Sequence, residues 1–389
     1  MWKKEVPLPK EGIYPIRNYS SLIDFAKRMV KQGSSNTSLL DSIEIKLTEE
    51  QIRGIHKNLK IIQIFKRLYE EVICIPDEYW LNYSKIIKES EAIIKAEKPD
   101  LIMSQYPNIF HFAAKNLSKK YKLPWVADFV DLWSQNFLYS YSKFRYAIDF
   151  KLEKNLLKQA DLVSTVSPVW ADKLKIFNNN SICIEHSFRE VSPYPNKSEV
   201  LKILYAGRIY PSIQHYEDFL SYLSSFLENH PKYRSQISVD FVGEGANSQI
   251  RMLAKSLNLD EIIKINERIP FDELEEKKKD SNMLLIFPTS SKEDGWYTSK
   301  LFDYIGSNRE ILAIGREKDN FMVKMLLEKD LGKFIDSYQQ FDLALKEYFR
   351  NIKDFGVPIV KDNSQIQEKY SAKIMVERFT KEFDKLLKK

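Results

Sequence analysis

From about Ile73 onward, short apolar or β-branched runs alternate with longer stretches in which apolar residues recur every three or four positions. That rhythm belongs to βαβ units and predicts parallel sheets covered by helices. In the first half the runs Val72–Ile75, Leu101–Ser104, Trp125–Asp128, Leu162–Val166 and Ile182–Ile184 read as strands. Ser21–Lys31 and Ser84–Ala96 each carry one apolar stripe and read as sheet-covering helices. In the second half the alternation repeats: strand Ile203–Ala206, helix Tyr216–Glu228, strand Ser238–Val242, helix Ser248–Leu257, then strands Ile262–Ile265 and Met283–Phe287. Helix Ser299–Gly306 and strand Ile311–Ile314 follow, and a lysine-rich helix over about Ser371–Lys389 closes the chain.

The polar, proline-bearing stretch Glu190–Val200 separates the two halves. The expected organisation is therefore an α/β chain of two Rossmann-like, doubly wound domains, 1–195 and 196–365, with 366–389 as a terminal helix packing on either domain. The length of 389 residues fits two domains better than one core. Hydrophobic residues at 43% and charged residues at 29% are ordinary for a folded, non-fibrous chain. Two cysteines, Cys74 and Cys183, far apart in sequence, indicate neither a disulfide framework nor a zinc knuckle. A net charge of +6 favours acidic partners but is too diffuse for a nucleic-acid binder. No apolar stretch has the length of a signal peptide or a membrane span, so a reducing, cytoplasmic setting is expected.

Two tandem α/β domains make a crevice at the carboxyl ends of their strands, where nucleotides bind in such architectures. The loops that follow strands are therefore the ones to inspect. Gly207-Arg208 follows one strand, glycine admitting close approach and arginine offering a fork of donors to phosphate oxygens. Val242-Gly243-Glu244-Gly245 ends another and suits a nucleotide pocket or simply a tight turn. A long polar loop from Phe287 enters a helix whose first turn carries Ser299 and Lys300. Lysine at that end is electrostatically misplaced unless an anion compensates it. Asp303 shares their face, as an acceptor for ribose hydroxyls or as an i,i+3 partner of Lys300.

The order of these motifs resembles the GT-B glycosyltransferases, specifically family 4 of the retaining, nucleotide-sugar-dependent enzymes. Gly207-Arg208, Val242-Gly243-Glu244-Gly245, Glu293–Tyr304 and Ile311-Leu312-Ala313 carry the likeness in the second half. Pro99–Ile102, Leu123–Trp133 and Ala160–Ser167 look like the family's acceptor-domain strands. The resemblance spans roughly Asp77–Lys318. It implies that Arg208 and Lys300 hold the donor diphosphate, with Gly207 and Gly243 also at the donor site, backbone amides from Tyr297 through Thr298 to Ser299 cradling phosphate oxygens, and Asp303 meeting the ribose. It also implies a terminal helix returning to the first domain, a nucleotide-sugar as donor substrate, a saccharide or lipid-linked saccharide as acceptor, and retention. No cofactor or metal is expected, and no Asp-x-Asp occurs in the chain.

Several positions depart from the family pattern. No lysine follows Gly207-Arg208, where Ser212–His215 stand, and no histidine follows Trp125–Asp128. The acids assigned to the sugar are Glu293, with Asp294 beside it, and Asp131, with Asp128 as its alternative. Relatives open with a strand into a glycine-rich loop, whereas Met1–Pro15 holds only Gly12. His111 lies between Phe110 and Phe112 and reads as a packed histidine before it reads as a base. Residues 137–158 interleave aromatics with lysine and arginine, which suits either contact with an anionic membrane or a half-buried helix with a solvated basic face. The alternative functions are a nucleotide-sugar epimerase of the same fold and a non-catalytic partner subunit of a glycosylation complex.

Overall fold

The computed structural model describes residues 67–194, 198–290, 295–355 and 363–388. The expected helix Ser21–Lys31, Gly12, Glu293 and Asp294 lie outside the described residues. The chain divides into two compact units, one ending at Cys183 and regaining residues 382–388, the other Ile184–Lys381.

The first unit holds α1 (Tyr83–Glu97), β1 (Ile102–Ser104), α2 (Asn108–Tyr121), β2 (Trp125–Phe129), α3 (Lys143–Leu157), β3 (Leu162–Thr165), α4 (Pro168–Leu174) and β4 (Ser181–Cys183). Its described strands pair in parallel in the order β1-β2-β3-β4. Every residue of β2 and β3 is buried, the signature of a parallel sheet covered on both faces. The apolar run Val72–Ile75, expected as a strand, is not one: residues 67–72 are helical and Ile73–Pro76 turn. The reason is tertiary. Arg145, 1% exposed, donates to the carbonyls of Glu70 (2.6 Å), Cys74 (2.8 Å) and Pro76 (3.3 Å), claiming acceptors that a strand ladder needs.

The same arginine pairs with Asp149 one turn along α3 at 2.8 Å, and Tyr139 donates its hydroxyl to that carboxylate. A turn further on, Glu153 is fully buried, accepting from the Ser134 amide at 3.0 Å and from its hydroxyl. Its other oxygen has no hydrogen-bond partner. So α3 turns a charged face inward and leaves Lys143, Phe144, Lys151 and Lys154 exposed outward, with exposed Lys158 just past its end.

The second unit is built of β5 (Leu201–Ala206), α5 (Tyr216–Asn229), β6 (Ile237–Val242), α6 (Asn247–Ser256), β7 (Ile263–Asn266), α7 (Phe271–Asp280), β8 (Met283–Ile286), α8 (Ser299–Ile305), β9 (Glu310–Ile314), α9 (Phe321–Glu328), β10 (Gly332–Ile335) and α10 (Tyr338–Phe355). Short α11 (Ser364–Lys369) precedes α12 (Ala372–Leu387). All six strands are parallel, in the order β10-β9-β8-β5-β6-β7. Side chains alternate between two cores. Ile203, Tyr205, Met283 and Leu285 pack under α5, α6 and α10, while Leu204, Ala206, Leu284 and Ile286 pack under α8 and α9. The closing helix α12 starts in this unit, and its last turns belong to the first, where Leu386 packs with Val126 and Leu162.

Burial without full hydrogen bonding pushes the Glu153 carboxyl up to about 7. An acid whose pKa rises on folding stabilises least when ionised, so this site costs stability increasingly from about pH 4.5 to about 7 and levels off above, by an amount on the order of 3 kcal/mol. Glu153→Gln is expected to raise the melting temperature more at pH 8 than at pH 5. Thermal unfolding at both pH values checks this, and a larger gain at pH 5 contradicts it.

Candidate functional site

In the second unit the winding reverses between β5 and β8, and at such a point the loops leaving adjacent strands diverge and open a crevice. The sequence-selected loops meet there. Gly207, just past β5, donates its amide to Val242 at 2.8 Å, and Gly243, just past β6, donates to Asn266 at 3.1 Å. Ile209 donates to the Glu244 carbonyl at 2.9 Å, so the two glycine turns are laced together. Both glycines have positive φ, +129° and +144°. A Cβ on Gly243 would fall on the Gly207 carbonyl, and one on Gly207 would fall on the Lys300 side chain.

Helix α8 is locked onto the end of β5, since the Ala206 amide donates to the Tyr304 hydroxyl at 3.1 Å. Thr298 caps the helix, its hydroxyl accepting from the Lys300 amide at 3.4 Å, and Ser299 opens the helix on the exposed side. Lys300 runs across Gly207. Its ammonium donates to the Arg208 carbonyl at 3.1 Å and sits 5.2 Å from the centre of the Tyr205 ring. Among the described residues no carboxylate pairs with it, and desolvation lowers its pKa to about 8. The residue as a whole is half-buried, the protein crowding its charged end.

Arg208 has its guanidinium paired with Glu244 at 2.8 Å on the surface. That hydrogen bond raises the arginine pKa and lowers that of the carboxylate. Asp303 lies one turn into α8, 42% exposed, with Oδ2 at 3.4 Å from the ammonium of Lys278. Gly207, Arg208, Gly243, Thr298, Ser299, Lys300 and Asp303 are thus all in one unit, on loops and helix that leave β5, β6 and β8. In the absent-lysine stretch, Gln214 is structural: it is buried and donates to the Phe287 carbonyl at 2.8 Å, tying the loop after β5 to the end of β8.

Three side chains at the site escape sequence reasoning. Tyr205 underlies Lys300, Lys278 reaches Asp303, and His186 stands edge-on to Phe302 at 5.6 Å. Burial lowers the His186 pKa to about 4 despite the nearby Asp303 charge, so the imidazole is neutral at physiological pH. Only Tyr205, two residues before Gly207 on a legible strand, has a sequence signal.

The expected acids of the first half occupy the other unit. Asp128, at the end of β2, is buried and saturated by Ser164 and Gln105, each at 2.6 Å. Asp131 is exposed and has no hydrogen-bond partner among the described residues, yet enough protein surrounds it that desolvation raises its pKa. His111 is a packed histidine: 1% exposed, bonded to Ser104 at 2.8 Å, stacked on Phe129, with its pKa lowered to about 3.

Residues 21–182 match the family Glycosyltransferase Family 4. Sucrose-phosphate synthase from Thermosynechococcus elongatus superposes with a TM-score of 0.55 at 14% identity, over 79% of this chain and 78% of its own. The fold is GT-B, and residues 21–182 carry the family 4 pattern. TarM of S. aureus superposes equally well, with a TM-score of 0.55 at 13% identity over 77% of this chain and 58% of TarM. The pneumococcal O-GlcNAc transferase GtfA gives 0.51 at 12% identity, over 77% of this chain and 60% of its own. At such identities these likenesses are of fold. No curated protein matches the sequence significantly.

The glycine turns yield a stability test. Gly243→Ala combines an unfavourable φ with a collision against main chain that cannot rotate away, and is expected to cost about 1–3 kcal/mol or more. Urea unfolding measures it, and a cost near zero would show that the two turns are not in contact.

Proposed function

We propose that the chain transfers a sugar from a nucleoside-diphosphate sugar to a saccharide or lipid-linked saccharide, with retention, in bacterial surface polysaccharide or glycoconjugate synthesis. The observation that carries the reading is the Lys300 ammonium: desolvated, matched by no carboxylate among the described residues, and set across a glycine turn at the switch point. Such a charge is stabilised by an anion. Arg208, whose partner Glu244 is exposed, supplies a second cation once that surface pair opens. Two cations converging on a diphosphate stabilise the negative charge that develops as the sugar departs, and the reaction so described draws on side chains and no resident cofactor. Amides near Thr298 and Ser299 complete the phosphate cradle. TarM and GtfA have each been solved with UDP, which makes UDP the first nucleotide to try.

On the sugar side we assign Asp131 and Glu293. Of the two candidate aspartates, Asp131 has no hydrogen-bond partner among the described residues, whereas both oxygens of Asp128 are already bonded.

The test is calorimetry with UDP, GDP, ADP and CMP on the wild type and on Lys300→Ala. Loss of a charged hydrogen bond predicts that one nucleoside diphosphate binds and that the variant weakens it by roughly 10- to 150-fold. Because Lys300 must be protonated to hold the anion, affinity is expected to fall as pH rises through about 8, with proton uptake on binding there. Unchanged affinity in Lys300→Ala, or no binding of any nucleotide, sinks the reading and favours a partner-subunit role.

We further propose that the enzyme works on the cytoplasmic side of an anionic membrane, touching it with the outward face of α3. No described helix is long and apolar enough to cross a membrane. What supports surface contact is that Phe144 is 70% exposed at the head of a helix whose outward residues include Lys143, Lys151 and Lys154, with Lys158 exposed just past its end. Co-sedimentation with phosphatidylglycerol vesicles, weakened by salt and by Lys151→Glu with Lys154→Glu, is expected. Equal sedimentation of variant and wild type removes the contact.

A further inference from the structure

Three consecutive lysines end α7, and each is claimed by a different acid. Lys277 pairs with Asp240 at 2.9 Å and Lys279 with Glu276 at 2.7 Å, both near the surface. Lys278 is different. It is 3% exposed, with its ammonium 2.6 Å from Glu275 on its own helix and 3.4 Å from Asp303 on α8. A buried ammonium needs compensation, and Glu275 alone supplies one full negative charge. The second carboxylate is therefore more than charge balance requires.

Asp303 is held asymmetrically. Its Oδ2 faces Lys278, while Oδ1 has no hydrogen-bond partner among the described residues and the side chain is 42% exposed. A carboxylate pinned at one oxygen by a buried, well-packed cation presents the other in a fixed direction. It stands one turn of α8 beyond Lys300, within a nucleotide's reach of the cation assigned to the diphosphate. Paired hydroxyls of a ribose are donors that match such an acceptor.

We propose that Lys278 is a positioning residue for the donor nucleotide: it aims Asp303 at the ribose hydroxyls and thereby sets the preference for ribonucleotides. The inference rests on the donor-site reading above, with Asp303 as the ribose contact. It assigns Lys278 no contact with substrate, because the ammonium lies behind the carboxylate and is itself buried.

The experiment compares binding of UDP, 2′-deoxy-UDP and inorganic pyrophosphate, with GDP and 2′-deoxy-GDP in parallel, to the wild type, Lys278→Met, Glu275→Gln and Asp303→Asn. Lys278→Met keeps the aliphatic stem and deletes the charge. Expected is a weakening of ribonucleotide binding by about tenfold, pyrophosphate affinity within about twofold of wild type, and a narrowed ribose-to-deoxyribose ratio. Equal loss for ribonucleotide and pyrophosphate, or no loss of discrimination, overturns the proposal, since a merely structural lysine would act on both ligands alike. Should Lys278→Met fail to fold, Glu275→Gln decides. There Asp303 is the only acid left to Lys278, so discrimination is kept or sharpened, and its loss overturns the proposal. Asp303→Asn separates the two levels: if it leaves the ribose preference intact, the assignment of Asp303 itself has failed, whereas its loss there with none in Lys278→Met refutes the positioning role alone.

Discussion

The second unit depends on one topological constraint: β5 lies between β6 and β8, so the chain runs outward from β5 in both directions. Helices α5 and α6 then cover one face and α8 and α9 the other, leaving a gap where the loops after β5 and β8 diverge. Everything at the site follows from that gap. The loops after β5 and β6 must fold back on each other to satisfy their amides, and they do so through Gly207 and Gly243. The loop after β8 must bridge to α8, whose Tyr304 hydroxyl accepts from the last amide of β5.

Steric and electrostatic demands coincide at Gly207. The turn there needs a backbone conformation that side chains resist, and the space a side chain would fill is taken by the stem of Lys300. The ammonium is thereby carried over the Tyr205 ring and onto a neutral carbonyl, into surroundings that disfavour its charge. A lysine near the start of a helix already opposes the helix dipole. Two unfavourable terms meet at one side chain, whereas the buried ammonium of Lys278 in the same unit is flanked by two acids and the buried guanidinium of Arg309 is ringed by carbonyls; on the proposed reading the counter-ion of Lys300 is a ligand.

Much of this was legible in the sequence, for stateable reasons. Strands such as β2, β3 and β8 are buried on both faces, so they read as unbroken apolar runs bounded by polar turns. Helices α1 and α5 each carry one apolar stripe. Gly207, Arg208 and Gly243 were identifiable because they directly follow strands whose ends are recognisable, and Lys300 and Asp303 because they open a helix entered from a long polar loop. Val72–Ile75 misled because its apolar run suits a strand, while its actual conformation is imposed by Arg145, about seventy residues away. The edge strand β10, short and only half-buried along most of its length, has too weak a pattern to stand out. Lys278 and His186 were invisible for another reason: a lysine within a run of three reads as a solvated charge run, and a lone histidine after a strand reads as nothing in particular. Their relevance comes only from which side chain each faces in three dimensions.

The charges around the crevice sort by how firmly each is held. Arg208 is bound to an exposed carboxylate, a pairing that water and salt compete with readily. Lys300 is bound to a carbonyl and a ring, partners that carry no net charge. Lys278 and Glu275 form a mostly buried pair that neither water nor a passing anion can replace cheaply. A site that must accept and release a dianionic leaving group at every turnover needs the first two kinds of cation toward the ligand and the third kind behind it. On the proposed donor reading, a buried acid matched to Lys300 would have to be displaced by the diphosphate and left uncompensated. Were Asp303 held only by solvent, its direction would be fixed anew with each nucleotide that bound. The gradation from exposed pair, through unmatched cation, to buried pair is thus what a donor site requires if binding is to be specific and product release is not to be slow.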